Sequence, residues 1–174
     1  MGITILAIPH CAKRTGLAHR PLELQANPGL SEEGCLQAHK MATALAMMVA
    51  SQKSVESIIF CGNMVRVLET ASIVATRLCF DLLVDTGLTI PGNNDLGRVI
   101  MLPGCEKETI ATCKAQAANT LTMIGATIGD GKTAIAITHH PIILGLMAYC
   151  RGITDIAGIQ KFEEEHKTAL VKSI

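Results

Sequence analysis

Three residues that can handle a phosphoryl group stand at matching places in this chain. His10 comes directly after the apolar run Ile3, Ile5, Leu6, Ala7 and Ile8. Arg66 lies just past a second apolar run, residues 57–61, and the turn Gly62-Asn63. His139 follows a third run, residues 133–138. A histidine can attack phosphorus as a nucleophile. Arginine and histidine also make charge-assisted bonds to phosphate oxygens, which are among the strongest hydrogen bonds available. Taken singly, His10 reads as an ordinary loop histidine. Taken together, the three make a set suited to one anionic group.

The elements that must position them follow from the apolar pattern. The runs ending at His10, at Cys61 and at Thr138 are too continuous for half-exposed strands and read as strands covered on both faces, as in a parallel sheet. Parallel strands carry their ligand sites at their carboxyl ends, which lie on one edge of the sheet. Ser31 is the expected N-cap of a first helix, with Glu32 and Glu33 favouring its positive end. Its core face is Cys35, Ala38, Ala42, Leu45 and Val49, with Met41 and Met48 beside it. A second helix is expected over residues 65–80, with Val67, Ala71, Val74 and Leu78 inward. Residues 81–90 form a third strand region, broken at Asp85, Thr86 and Gly87. Residues 91–95 form a turn in which Asp95 has a turn-forming role. A long helix is expected over 106–128 and a short buried one over 142–150. Ala169, Leu170 and Val171 form an edge strand. This β-α-β-α-β-α-β alternation is the pattern of a doubly wound α/β domain, here one domain over residues 1–174.

Composition narrows the functions open to it. The 174 residues carry 15 basic and 15 acidic side chains, so there is no basic excess to bind nucleic acid or an anionic membrane surface. Aromatic residues are too few for base-stacking platforms. No apolar stretch approaches the roughly 20 residues needed to span a bilayer. No leader peptide is evident at the start of the chain. The seven cysteines are scattered without CxxC spacing, which fits free thiols in a reducing cytoplasm better than zinc ligands or a disulfide framework.

Three partial motifs do not carry chemistry. A cysteine-phosphatase loop opening at Cys11 needs an arginine six residues on, and that place is Leu17. Gly131-Lys132-Thr133 joins a helix to a strand, the reverse of a phosphate-binding P-loop. The acidic run at residues 163–165 beside His166 reads as a solvated face rather than a metal site.

Four segments in order make the chain resemble the histidine phosphatase (phosphoglycerate-mutase-like) superfamily. Pro9-His10-Cys11 stands where the family has Arg-His-Gly. Gly29-Leu30-Ser31-Glu32-Glu33-Gly34 is similar to its Pro-Leu-Thr-x-x-Gly helix opening. Residues 62–71, with Arg66, Thr70 and Ala71, are similar to Ser-Pro-x-x-Arg-Ala-x-x-Thr-Ala, and Thr138-His139 matches a strand ending in Ser-His. His139-His140-Pro141 and the short length look most like the small bacterial phosphohistidine phosphatases. The resemblance implies a three-layer α/β/α fold with a mostly parallel central sheet. It implies that His10 carries the phosphoryl group as a phosphohistidine intermediate and that Arg66 and His139 bind its oxygens. It implies no metal or organic cofactor. The ligand would be a phosphorylated small molecule or a phosphoprotein, with specificity in the loops at 11–30 and 91–107.

The departures are specific. The family arginine before the nucleophile is Pro9, which has neither a cationic head nor an N–H. Losing one charge-assisted contact forfeits roughly 1.5–3 kcal/mol, or about ten- to a hundredfold in rate. Arg14 is assigned to the phosphate site, and Arg14, Lys13 and Arg20 are the cations near enough in sequence to replace the lost arginine. The glutamate that many members use as an acid corresponds to Ile90; the phosphohistidine phosphatases lack it too. Two functions therefore remain: a phosphohydrolase acting on phosphohistidine protein or a small phosphoester, and a degenerate member that binds a phosphorylated ligand without turnover. Mutase action, which needs a good acid, ranks below both.

Overall fold

The computed structural model describes residues 2–17, 20, 27–89, 106–153, 158 and 161, and of residues 106–115 the backbone. The elements run β1 (Thr4–Pro9), α1 (Glu32–Ser51), β2 (Val55–Cys61), α2 (Val65–Leu78), β3 (Asp81–Val84), a 3-10 turn (Thr86–Leu88), α3 (Glu106–Ile128), β4 (Thr133–Thr138) and α4 (His140–Cys150). The expected turn at 91–95 and strand at 169–171 lie outside the described residues, as do Ile90 and Asp95.

The four strands form one sheet in the order β1-β4-β2-β3, and every neighbouring pair is parallel. Side chains alternate along each strand, so each face has its own core. Ile59 and Cys61 of β2 and Ile135 and Ile137 of β4 pack under α1 and α2, against Ala42, Leu45, Val67, Ala71 and Val74. Phe60, Ala134 and Ala136 face the other way, against Ala117 and Ile124 of α3 and Ile142 and Leu146 of α4. The result is a three-layer α/β/α sandwich around a parallel sheet, as expected.

One expectation fails in detail. Strand β1 is not covered like a central strand. It pairs with β4 alone among the described strands, and its residues are half-buried or exposed. The continuous apolar run that suggested two covered faces instead borders an apolar groove against α3 and α4, lined by Ile3, Ile5, Ala7, Leu121 and Leu146. Fully buried status belongs to the carboxyl half of β2 and nearly all of β4.

Local chemistry explains the element boundaries near the site. Ser31 is the N-cap of α1, its hydroxyl accepting the Gly34 N–H at 3.0 Å. The same hydroxyl and the Ser31 N–H both donate to the Ala12 carbonyl, at 3.2 and 3.0 Å. Gly34 sits so close to that carbonyl that a Cβ would strike it, which is why no larger residue fits. Helix α2 has no cap from its own N-cap residue Met64; instead Asn27 accepts the Val65 N–H at 3.1 Å. It ends two residues short of expectation, with Cys79 in the left-handed region at φ 56°. Helix α4 starts sooner than expected, directly after β4, with His139 as N-cap and Pro141 in the first turn, where its missing N–H costs nothing.

Candidate active site

The register of β1 against β4 brings the two histidines together. Pro9 is opposite Thr138, and the His10 N–H continues the ladder by donating to the Thr138 carbonyl at 2.9 Å. His10 and His139 therefore leave adjacent strands side by side. Their rings meet edge to face, centroids 4.8 Å apart and planes 68° apart. Strand β2 lies on the other side of β4, so α2, which follows it, brings Arg66 to the same edge. The Arg66 Nε–H donates to His10 Nε2 at 3.1 Å. The three catalytic candidates, His10, Arg66 and His139, are thus brought together.

The contacts of His10 determine which of its nitrogens is reactive. Nδ1 lies 2.7 Å from the Cys11 carbonyl, an acceptor, so Nδ1 carries the proton. Nε2 then holds the lone pair, consistent with its accepting the Arg66 N–H. A second tie holds this arrangement. The Thr70 hydroxyl donates to the Arg66 carbonyl at 2.7 Å and accepts the Cys11 N–H at 3.2 Å. It locks the strand end that orients His10 to the helix turn that carries Arg66. Neither Thr70 nor the Cys11 carbonyl was assigned a role from sequence. The available signal was a threonine one helical turn beyond a basic residue, on the same face of α2.

The two histidines lie among positive charges. His139 is 3% exposed, and among the described residues no group bonds either ring nitrogen. Buried polar atoms are nearly always paired, so an unpaired ring beside His10 points to a ligand group. Burial first, then the positive charges of Arg66, His10 and Lys13, drive the His139 pKa down to about 3. His10 is also lowered, by burial first, partly offset by the Cys11 carbonyl, with Arg66 and Lys13 lowering it further. Both rings are therefore neutral near pH 7, and the fixed charges named around them, Arg66 and Lys13, are positive. Arg66 itself is buried at 8% exposure; its Nη2 also reaches the Met64 sulfur at 3.5 Å.

The remaining expected residues are placed differently. The Arg14 Nε donates to the Leu30 carbonyl at 2.8 Å, so these contacts do not bring it to the histidines. Pro9 ends β1 with an exposed ring. Cys11 and Cys61 are buried, and burial raises both thiols, Cys61 to about 11. They are packing groups, not reactive thiolates. On the β3 side, the Thr138 hydroxyl donates to the Leu88 carbonyl, and the Asn63 N–H donates to the Thr89 hydroxyl at 3.0 Å. These bonds pin the start of the third-strand loop to the ends of β4 and β2. Among the described residues no cluster of His, Cys, Asp and Glu could hold a metal ion.

No protein-family model and no curated protein sequence matches the chain. Solved structures do. A mycobacterial glucosyl-3-phosphoglycerate phosphatase in complex with VO3 superposes with a TM-score of 0.65 at 16% identity, over 88% of this chain and 83% of that one. Phosphoglycerate mutase from Plasmodium falciparum gives 0.56 at 20% identity, over 93% and 76%. A protein assigned as the phosphohistidine phosphatase SixA of Agrobacterium tumefaciens gives 0.56 at 13% identity, over 88% and 79%. The three span a phosphatase, a mutase and a phosphohistidine phosphatase, so the overlap does not select one of those activities. What the superpositions and the sheet order establish together is that the chain has the phosphoglycerate-mutase-like α/β/α fold.

Proposed function

We propose that this protein is a phosphohydrolase that works through a phosphohistidine on His10. The observation that carries the reading is the pairing of two unlike histidines. His10 has Nδ1 tied to a carbonyl and Nε2 presented beside Arg66. His139 is buried at contact distance with both nitrogens unpaired. One ring is set up as a nucleophile and the other as a donor to phosphate.

In the proposed reaction the Arg66 N–H turns from His10 Nε2 to a phosphate oxygen, freeing the lone pair. Nε2 attacks phosphorus, and the bond from phosphorus to the leaving group breaks with its electron pair on that group. Arg66 and His139 stabilise the equatorial oxygens as charge develops there. Water then attacks the phosphohistidine, the P–N bond breaks, and inorganic phosphate leaves with His10 restored. Burial, with the positive surroundings adding to it, keeps His10 unprotonated for the first attack, and the positive charges hold the anion for the second.

Phosphohistidine protein is the favoured substrate, with a small phosphoester as the other candidate. Among the described residues no carboxylate is one of the charges acting on His10 or His139. A phosphoramidate departs as a protonated nitrogen base and needs less help from an acid than an alkoxide does. The free thiols of Cys11, Cys35, Cys61, Cys79 and Cys150 fit a reducing, cytoplasmic setting, and among the described residues no helix is long and apolar enough to cross a membrane. Pro9 supports the second reading, binding of a phosphorylated ligand without turnover, because it removes one cation from the transition state. Phosphate release from a phosphohistidine peptide and from p-nitrophenyl phosphate separates the two. The hydrolase reading expects release with both, faster from the peptide, and none from His10→Ala. Tight binding of both with no release supports the second reading.

A further inference from the structure

The charge balance of the site is incomplete as described so far. A phosphoryl group presents close to two negative charges. His10 and His139 are neutral near pH 7, so among the described residues Arg66, bonded to His10, is the cation that a contact brings to the pair. Pro9 supplies none. A second positive group is needed near the strand ends, and the sequence leaves Lys13, Arg14 and Arg20 open.

The backbone decides between the first two. Residues 12–14 run beside the segment before α1 and are held there on both sides. The Ala12 carbonyl takes both Ser31 donors, and the Ala12 N–H donates to Gln37 at 3.1 Å. Lys13 forms an isolated antiparallel bridge with Leu30, and the Arg14 N–H donates to the Gly29 carbonyl at 2.9 Å. Glu69 of α2 anchors the opposite side by accepting the Leu30 N–H. In extended chain successive side chains leave on opposite faces. Arg14 turns onto the Leu30 carbonyl. Lys13, one residue earlier, leaves on the other face. Its side chain is exposed, and its charge reaches both His10 and His139. Among the described residues no salt bridge involves the Lys13 ammonium.

We propose that Lys13 is the second phosphate-binding cation of this site, doing from the loop what an arginine at position 9 would do from the strand. This rests on the phosphohydrolase reading above. A lysine differs from an arginine in that role. It offers a compact point charge on a flexible stem rather than a rigid two-pronged donor. It would therefore strengthen phosphate capture more than it would orient the oxygens.

The test is titration of the full chain with inorganic phosphate, followed through the ring signals of His10 and His139, with steady-state kinetics alongside. Lys13→Ala should weaken phosphate binding about tenfold or more and raise KM more than it lowers kcat. Lys13→Arg should restore binding. Lys40→Ala removes the same charge from the exposed side of α1 and should bind like wild type. If Lys13→Ala binds like wild type while Arg66→Ala does not, the Lys13 assignment is overturned and the phosphohydrolase reading stands. Equal losses in Lys13→Ala and Lys40→Ala would show a diffuse field and also overturn it. If wild type itself binds no phosphate, the underlying reading fails and takes this inference with it.

Discussion

His10 and His139 are the same residue type in contact with one another, yet their partners suit them to opposite tasks. His10 has a fixed tautomer, and His139 has two unpaired nitrogens and the deeper burial. Both have pKa values below the ordinary 6.5, so the unfolded chain binds more protons than the folded one as pH drops below 6.5. Stability must therefore fall with falling pH, for His139 across the whole window from 6.5 down to about 3. Thermal melts should show a loss of up to about 2 kcal/mol from His139 between pH 6.5 and 5, and His139→Gln should flatten that slope. Activity should fall in the same direction, because protonation of His10 removes its nucleophilic lone pair. The acid limb of kcat/KM should lie below pH 6.5. Thr70 is the other residue with a sharp expectation. Thr70→Val strands the buried Cys11 N–H and should cost about 1–3 kcal/mol of stability, measured by urea unfolding, with Thr70→Ser restoring most of it. The three principal site residues were legible in the sequence because each follows an apolar run that ends abruptly. Thr70 was not, because its role depends on which strand end α2 faces.

At the scale of elements, the site depends on how α1 seats against the loop after β1. Gly34 allows that contact by having no side chain where the Ala12 carbonyl intrudes. Gly34→Ala must push that backbone away, destabilising the fold by about 1–3 kcal/mol. Because Ala12 lies between Cys11 and Lys13, the same change should lower phosphate affinity, which calorimetry would detect. A variant that loses stability but binds phosphate normally would separate α1 seating from the site. The sequence showed the glycine but not its neighbour, since a close approach between segments 22 residues apart is a tertiary fact. The same limit applies to the loop cations. Lys13 and Arg14 look alike as neighbours in a basic cluster, and only the bridge to Leu30 tells which one turns aside.

At the scale of the whole molecule, the parallel order β1-β4-β2-β3 performs the assembly. Residues 10, 66 and 139 are far apart in the chain and meet because β4, the last of these four strands in sequence, lies between β1 and β2. The alternation of strands and helices indicated a doubly wound sheet, but alternation is silent on strand order, and so the pairing of β1 with β4 alone among the described strands was not foreseen. A site built from three strand ends exists only in the folded state, so an anion bound there stabilises the fold. Inorganic phosphate at about 100 times its Kd should add about 2.7 kcal/mol, raising Tm by roughly 5–10 °C for a domain of this size. Chloride at equal ionic strength should not, and Arg66→Ala should remove the effect.

The central claim is that His10 Nε2 accepts the phosphoryl group. Rapid quench of the wild-type protein with 32P-labelled phosphohistidine peptide, followed by site mapping of the labelled protein, tests it directly. A base-stable, acid-labile label on His10 at Nε2, absent from His10→Ala, is the expected result. Phosphate release without any labelled intermediate, or a label on another residue, would contradict it.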